Sequence, residues 1–507
     1  MIEKIKSKKN TILFIYIALF FIINFFSLDH YPFVHSDEPW LSGLSRNIMD
    51  SGSFKVTETF FNTYPRYPHG IKILFHIIQI IFLKIFGYNV MTFRSISLIF
   101  GSLSLIFFYK TLDKIQENSW INLLMTILFS ISIDFIYTSH VARQEIILVF
   151  SLILSIYIII SNIEKKSPWL IIGIILGLSV GIHPNSFIIA LMIGSAYLIY
   201  VIKGDYDFSS LVKMVVLTFL IAMTFVGVSF ILDSDFINHY KNFGSSLGVT
   251  ESSGGKLETL PLFFYKMFKQ ISATYYIPDR RLFFILLGSA LPISILTKKE
   301  THTLPMLASI IGYITGILII GRYNPTSIVF IAPSLYLLLA ILIHKIPNKI
   351  AAALLITGII LSGITIVKDM EKYPDYSYTN YINDLATLIP EDGETLGNLN
   401  TEYHFKNGKL LDYRNLAELK KDGISVSDYI KNNKINYIIL TDELDYLYRN
   451  ERWQILYGDM DYYPELIDYV SKNCTLVGSF DGRNYGMRIV SYSFEGEWNL
   501  YIYRVLE

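Results

Sequence analysis

The segment Ile71-Lys72-Ile73-Leu74-Phe75-His76-Ile77-Ile78-Gln79-Ile80-Ile81-Phe82-Leu83-Lys84-Ile85-Phe86 decides how this chain meets a membrane. It is one of twelve long apolar runs. The others lie at roughly 11–28, 92–109, 120–137, 146–162, 168–182, 186–202, 211–232, 282–297, 304–320, 327–343 and 350–367. A helical bilayer crossing takes about 20 apolar residues. In this run Lys72, His76 and Gln79 fall at i, i+4 and i+7, on one helical face, and Lys84 follows. A lysine at the bilayer centre costs about 2.5–3.5 kcal/mol on insertion scales. A helix with one polar face does better in the interface plane. The run therefore predicts a juxtamembrane helix, which leaves eleven spans.

Charge placement leads to the same count. Cytoplasmic loops are enriched in Lys and Arg. The basic clusters are Lys4/Lys6/Lys8/Lys9, Lys110/Lys114, Lys165/Lys166, Lys203, Lys298/Lys299 and Lys345/Lys349. They share one side only if 71–86 does not cross. Eleven spans put the N-terminus in the cytoplasm and the C-terminus outside. Outward-facing segments are then the long loop 29–91, the turns near 139–145 and 183–185, the loop 233–281, Gly321–Pro325, and everything after about 369.

Composition supports a membrane class. Of 507 residues, 52% are hydrophobic and only 17% charged, too few charges to cover a soluble body of that size. Zero net charge offers nothing for nucleic-acid binding. A single cysteine, Cys474, excludes an internal disulfide. No cleavage site follows the first apolar run, which reads as a retained helix.

Hydropathy falls sharply after Lys368, so residues 1–368 read as the membrane domain and 369–507 as a soluble α/β domain. Val426–Asn433 and Pro464–Lys472 read as helices. Ile435–Leu440, Thr475–Phe480, Arg488–Phe494 and Leu500–Val505 read as strands. No catalytic motif stands out there, and a lid or acceptor-docking role is the plain reading.

The residues that a membrane makes costly gather outside. His35-Ser36-Asp37-Glu38-Pro39-Trp40 follows the first span. Adjacent carboxylates at a membrane surface suit a general base, because partial burial and a like-charged neighbour raise carboxylate pKa values. They equally suit N-terminal caps of a helix over Pro39–Met49. His140-Val141-Ala142-Arg143-Gln144-Glu145 sits at the outer turn between two spans, and ionisable groups at that depth are functional candidates. The plain alternative is a surface pair of Arg143 with Glu145, worth little. Arg94, at the outer end of a span, and Arg322, in Gly321-Arg322-Tyr323-Asn324-Pro325, either snorkel to headgroups or bind phosphate. His183-Pro184-Asn185 is a turn or a ligand contact. Asp37, Arg94, Arg143, Glu145, His183 and Arg322 come from separated places, yet the topology brings all of them to one membrane face.

With these residues assembled, a resemblance emerges. Asp37-Glu38, Asp50-Ser51-Gly52-Ser53-Phe54, Tyr67-Pro68-His69-Gly70, Phe86-Gly87-Tyr88-Asn89 and Arg94 together resemble the first outer loop of GT-C glycosyltransferases. Within that superfamily the similarity is to family 39, the protein O-mannosyltransferase and aminoarabinose-transferase branch. Ala142-Arg143-Gln144-Glu145 resembles its second outer-loop motif, and Gly321-Arg322-Tyr323 with Pro333 its late Arg-Tyr motif. The resemblance covers most of residues 11–345. It departs where the aminoarabinose branch has Lys-Pro and this chain has Tyr67-Pro68 with Arg66 nearby. The C-terminal domain also does not look like the β-trefoil of eukaryotic O-mannosyltransferases.

The resemblance implies a polytopic α-helical protein of GT-C-like plan, with about eleven spans plus juxtamembrane helices. It implies transfer of a sugar from a polyprenyl-phosphate donor to a cell-envelope glycan, lipid or protein acceptor at the outer face of the plasma membrane. Asp37 is then the general base, with Glu38 and Glu145 beside it. Arg94, Arg322 and His183 hold the donor phosphate, and Arg143, Tyr323 and His35 position the reacting groups. No cofactor is firmly implied. A divalent metal on Asp37, Glu38 and Glu145 stays an open alternative, because oxygen ligands from scattered loops have no spacing signature. A lipid or solute transporter, expected to carry charges within spans and inverted repeats, is the competing class.

Overall fold

The computed structural model describes the chain apart from residues 1, 164–167, 247–252, 271–277, 321–322, 372–376, 406–407, 451–455, 483–484, 486–497 and 507. The membrane part begins with α1 (Ile2–Ser27), α2 (Asp37–Ser51), α3 (Ile73–Phe86), α4 (Val90–Ile115), α5 (Ser119–Ser130), α6 (Ile133–His140), α7 (Glu145–Ser161) and α8 (Trp169–Val180). It continues with α9 (Ser186–Ile202), α10 (Phe208–Leu232), α11 (Phe236–Ser246), α12 (Ser253–Phe268), α13 (Arg281–Leu296), α14 (Thr303–Ile320), a 3₁₀ turn Pro325–Ile331 running into α15 (Ala332–Ile343), and α16 (Asn348–Met370).

Among the described residues five helices are long and apolar enough to cross a membrane: Val90–Ile115, Phe208–Leu232, Thr303–Ile320, Pro325–Ile343 and Asn348–Met370. Helices α5 and α6 add a sixth as one span bent by 62°. Shorter apolar helices occupy the remaining runs, Ile73–Phe86 among them. The outer helices present apolar side chains where a soluble protein would carry charge. On α10 these include Val215, Phe219, Leu220 and Ile231, and on α16 Leu354, Ile360 and Ile364. Backbones approach closely between α8 and α10. A Cβ at Gly177 would stand 2.6 Å from the Ile221 side chain, and one at Gly181 2.6 Å from the Phe225 ring. Small residues four apart allow such contact in membranes, where helix association rests on packing.

Helix α3 does not cross. At its start the Gly70 N–H donates to Ser229 Oγ (2.8 Å), and the Leu74 and Phe75 N–H groups donate to Gly181 O (2.9 and 3.2 Å). Ser229 lies in the last turn of α10 and Gly181 closes α8. At its end, Asn89 caps the start of α4 through Thr92 N–H (2.9 Å). Both ends of α3 therefore meet helix ends on the same side of the bundle. Its polar face is not turned to water, as an interface helix by itself would have it. His76 Nδ1 lies 2.8 Å from Ser45 Oγ on α2, Ser45 donates to Gln79 Oε1 (2.6 Å), and both α3 side chains are buried. The exposed face is Ile77, Ile81 and Ile85. Helix α2 supplies the polar partners that water would otherwise supply.

After α16 the chain builds a five-stranded sheet in the order β2-β1-β3-β5-β4. Strands β1 (Thr395–Gly397), β2 (Leu410–Asp412) and β3 (Tyr437–Thr441) run parallel; β4 (Cys474–Asp481) and β5 (Asn499–Val505) are antiparallel neighbours. The expected helices occur as Val426–Asn432 and Tyr463–Asn473. Strands β1 and β2, three residues each, add to the expected ones, and Arg488–Phe494 lies outside the described residues. The domain is docked on the first outer loop. Asn415 Oδ1 accepts the N–H groups of Asn62, Thr63 and Tyr64 (3.0, 3.2 and 3.1 Å), and its Nδ2 donates to Phe60 O (2.8 Å). Arg46 on α2 pairs with buried Glu402 (2.5 Å), and Asn400 Nδ2 donates to Val34 O (3.0 Å).

Candidate active site

Helix α2 opens at Asp37, and the turn before it is tied by side chains. The Asp37 N–H donates to His35 Nδ1 (3.2 Å), and the His35 N–H donates to Glu38 Oε1 (2.9 Å). The two adjacent acids then part company. Glu38 points inward and is fully buried. Its Oε1 also accepts from Arg94 Nη2 (2.7 Å), and its Oε2 accepts from Arg94 Nε (2.8 Å) and Ala142 N–H (2.8 Å). Arg94 spends its remaining nitrogen, Nη1, on Leu28 O (2.6 Å) and Pro32 O (2.9 Å). This corrects two expectations. Arg94 holds no phosphate, because its guanidinium is enclosed by Glu38 and two carbonyls. Glu38 is no proton acceptor, because both oxygens are taken. The pair ties the first outer loop, the head of α4 and the 141–145 turn into one unit.

Asp37 is the carboxylate left open, its side chain 24% accessible against 0% for Glu38 and 3% for Glu145. It accepts a short hydrogen bond from Arg143 Nη1. Arg143 also reaches Glu145, with Nε to Oε2 at 3.3 Å and Nη2 to Oε1 at 3.2 Å. Glu145 in turn accepts from Thr326 Oγ1 (2.6 Å), a residue with no distinguishing signal in the sequence. Asp37, Arg143, Glu145 and Thr326 thus form one chain of contacts across three outer segments. His35 stands beside Asp37, Nδ1 to Oδ1 at 3.7 Å.

The other expected residues show contacts of their own. His183 stabilises its own turn, Nδ1 accepting from the Asn185 N–H (3.0 Å). Tyr323 is turned to the second outer loop: its hydroxyl donates to Lys256 O and its ring stacks on Phe263 at 5.2 Å. That contradicts a positioning role beside Asp37. Arg322 lies outside the described residues. Among the described residues no three His, Cys, Asp or Glu converge on one point, and Glu38 has no free lone pair to give.

A cation missed as a site residue is Lys72, at the left-handed φ of 78° that starts α3. Burial and then the charges of Arg66 and Arg143 push its ammonium down to about 8, while Asp37 and Glu58 pull the other way. Lys72 therefore shares the electrostatic environment of Asp37. Behind it, Arg66 chelates Glu58 (2.8 and 3.0 Å), whose other partner is Trp40 Nε1 (2.6 Å). Burial alone would raise Glu58; the Arg66 charge and hydrogen bonds outweigh it and bring the carboxyl down to about 2. Trp40 also carries the guanidinium of Arg414 from the C-terminal domain, 4.4 Å from its ring centre.

Residues 66–237 match the sequence model of the dolichyl-phosphate-mannose-protein mannosyltransferase family. The fold is similar to ArnT from Cupriavidus metallidurans in the apo state, at 12% identity and a TM-score of 0.57 over 98% of both chains. It is similar to the same protein bound to undecaprenyl phosphate, at 11% identity and 0.54, over 96% of this chain and 97% of that one. It is similar to the oligosaccharyltransferase AglB from Archaeoglobus fulgidus, in complex with an inhibitory peptide and a dolichol-phosphate, at 11% identity and 0.54, over 94% of this chain and 74% of that one. A curated tRNA (guanine(37)-N(1))-methyltransferase from Pediculus humanus subsp. corporis is 29% identical over 125 residues. The chain spans about a quarter of that protein's length, 26%, and the match carries no argument about activity. Residues 66–237, about a third of the chain, are thus similar to the dolichyl-phosphate-mannose-protein mannosyltransferase family, and the chain as a whole shares the fold of ArnT and AglB.

Proposed function

We propose that the protein transfers a sugar from a polyprenyl-phosphate donor to a hydroxyl of a cell-envelope glycan, lipid or protein at the outer face of the plasma membrane, with its N-terminus in the cytoplasm. The observation that carries this reading is the division of labour between adjacent acids: Glu38 is sealed on Arg94, while Asp37 stays open and is aimed by Arg143. The lysine clusters at the opposite ends of the spans support the orientation. The transporter alternative gains nothing from a site whose acids and cations gather at the outer helix ends.

In this mechanism Asp37 takes the proton of the acceptor hydroxyl as its oxygen attacks the anomeric carbon. The bond from that carbon to the phosphate oxygen breaks, and the lipid phosphate leaves with the electron pair. Direct displacement inverts the anomeric centre. Lys72 and Arg322 are the cations assigned to the phosphate, offsetting its growing charge. Arg143 stays with Asp37 and Glu145. In this reading Lys72, rather than Arg94, serves the phosphate.

The test is a transfer assay on purified protein. Labelled mannosyl and aminoarabinosyl undecaprenyl phosphate and mannosyl dolichyl phosphate serve as donors, and cell-envelope extract serves as the acceptor pool. Wild type is expected to remove label from at least one donor, and Asp37→Asn, still folded, to leave it in place. Full activity in Asp37→Asn would remove Asp37 as base.

A further inference from the structure

Arg143 bridges two carboxylates: its Nη1 donates to Asp37, and its Nε and Nη2 donate to Glu145 at 3.3 and 3.2 Å. Glu145 is the more buried of the two acids, and Thr326 gives it a further donor. Its Oγ1 lies 2.6 Å from Glu145 Oε1 and 2.9 Å from Asn324 Oδ1, and a hydroxyl has one proton to give. The shorter contact is the one to the ionised group, and Asn324 Oδ1 already accepts the Thr326 N–H at 3.0 Å. Thr326 is itself buried, at the start of the 3₁₀ turn that leads into α15, so its hydroxyl is held in place.

We infer that Thr326 is a positioning residue for the transfer reaction: by donating to Glu145 it fixes the carboxylate on which Arg143 is anchored, and through Arg143 it holds the base in line. The inference rests on the reading of Asp37 as base. Thr326 follows Asn324 and Pro325, so this turn is linked through Glu145 and Arg143 to the base. The groups around Asp37 that feel a change at Thr326 are Arg143 directly, and His35 and Lys72 as the other titratable neighbours.

The experiment measures donor consumption by Thr326→Val and Thr326→Ser, using the labelled donors named above. Thr326→Val is expected to lower kcat by about tenfold to a hundredfold, the scale set by misplacing a reacting group by an ångström, with KM for the donor changed less than about threefold. Thr326→Ser, which keeps the hydroxyl, is expected to restore kcat. In an Arg143→Lys background Thr326→Val should add almost nothing, because the two act through one contact. Thr326→Ala, which removes the hydroxyl without adding volume, reads the same quantities if the valine variant does not fold. Unchanged kcat in folded Val or Ala variants, failure of Ser to restore it, or full additivity with Arg143→Lys overturns the inference while wild-type turnover leaves the reaction standing. Wild-type protein that consumes none of the donors overturns both.

Discussion

The Arg94 guanidinium grips Glu38 with two parallel hydrogen bonds, 2.8 Å from Nε and 2.7 Å from Nη2, and neither side chain has any accessible surface. A bidentate pair of this kind joins charge to fixed geometry. Here it sets which of two adjacent acids is available for chemistry. With Glu38 anchored, the first turn of α2 can place Asp37 only toward the open side, where Arg143 receives it.

Glu38→Gln and Asp37→Asn should therefore fail in different ways. Removing one charge from a buried pair leaves the other uncompensated, at a cost of about 3–5 kcal/mol. Glu38→Gln is expected to lower the unfolding temperature in detergent and the yield of folded protein, and Arg94→Lys to behave alike. Asp37→Asn should keep the wild-type melting point and lose turnover. Equal melting points for the two variants would show that Glu38 is not the structural member.

Lys72 is expected to act on donor binding. Its left-handed backbone is strained for a side chain with a Cβ, and such strain persists where surrounding structure holds it. Lys72→Met keeps length and removes charge. The expected result is a KM for the lipid-phosphate donor raised by about tenfold or more, with weaker retention of undecaprenyl phosphate in a direct binding measurement; one lost charged contact to a phosphate is worth roughly 1.5–3 kcal/mol. Undiminished binding of that lipid by Lys72→Met would remove it from the phosphate site.

Asn415 tests the docking of the C-terminal domain. One side-chain oxygen receives three successive backbone N–H groups of the first outer loop, and the amide nitrogen returns a bond to Phe60 O. Asn415→Ala leaves those groups in a poorly hydrated interface, a penalty of about 1–3 kcal/mol for each group left unsatisfied. Faster proteolytic cleavage in 54–69 is expected, together with loss of transfer out of proportion to the change in melting point. An unaltered cleavage pattern would mean that the domain is held by its other contacts.

Much of the plan could be read from sequence because a bilayer makes polar residues costly. Asp37, Arg143 and Glu145 are conspicuous at span ends, and the structure brings the three into contact. Arg94 was equally conspicuous, yet its partner lies 56 residues away and no local spacing announces that pairing. Lys72 stands out in the sequence only as a charge within an apolar run, and nothing there announces that it feels the charge of Asp37. Thr326 gave no signal, since a hydroxyl after Asn-Pro fits any turn. The burial of the polar face of α3 depends on Ser45 of α2, and the docking of Asn415 depends on partners about 350 residues away. Such contacts belong to the tertiary structure.

The pairing of Arg46 with Glu402 makes the domain interface sensitive to pH in a definite direction. Burial pushes the Glu402 carboxyl from 4.5 up to about 7, against the opposing pull of Arg46, and its Oε2 has no hydrogen-bond partner. The folded form then binds a proton more tightly than the unfolded chain. Its stabilising contribution is complete below about 4.5 and is lost as pH rises through about 7. The shift corresponds to something on the order of 3 kcal/mol across that window. In wild type this adds a downward slope to the melting temperature between pH 5 and 7.5. Glu402→Gln, which cannot ionise, should melt with a flatter profile, the gap between the two proteins changing across the same interval. Parallel profiles for wild type and Glu402→Gln would mean that Arg46 keeps the carboxylate ionised throughout, and the interface would then be a plain buried ion pair with no response to pH in that range.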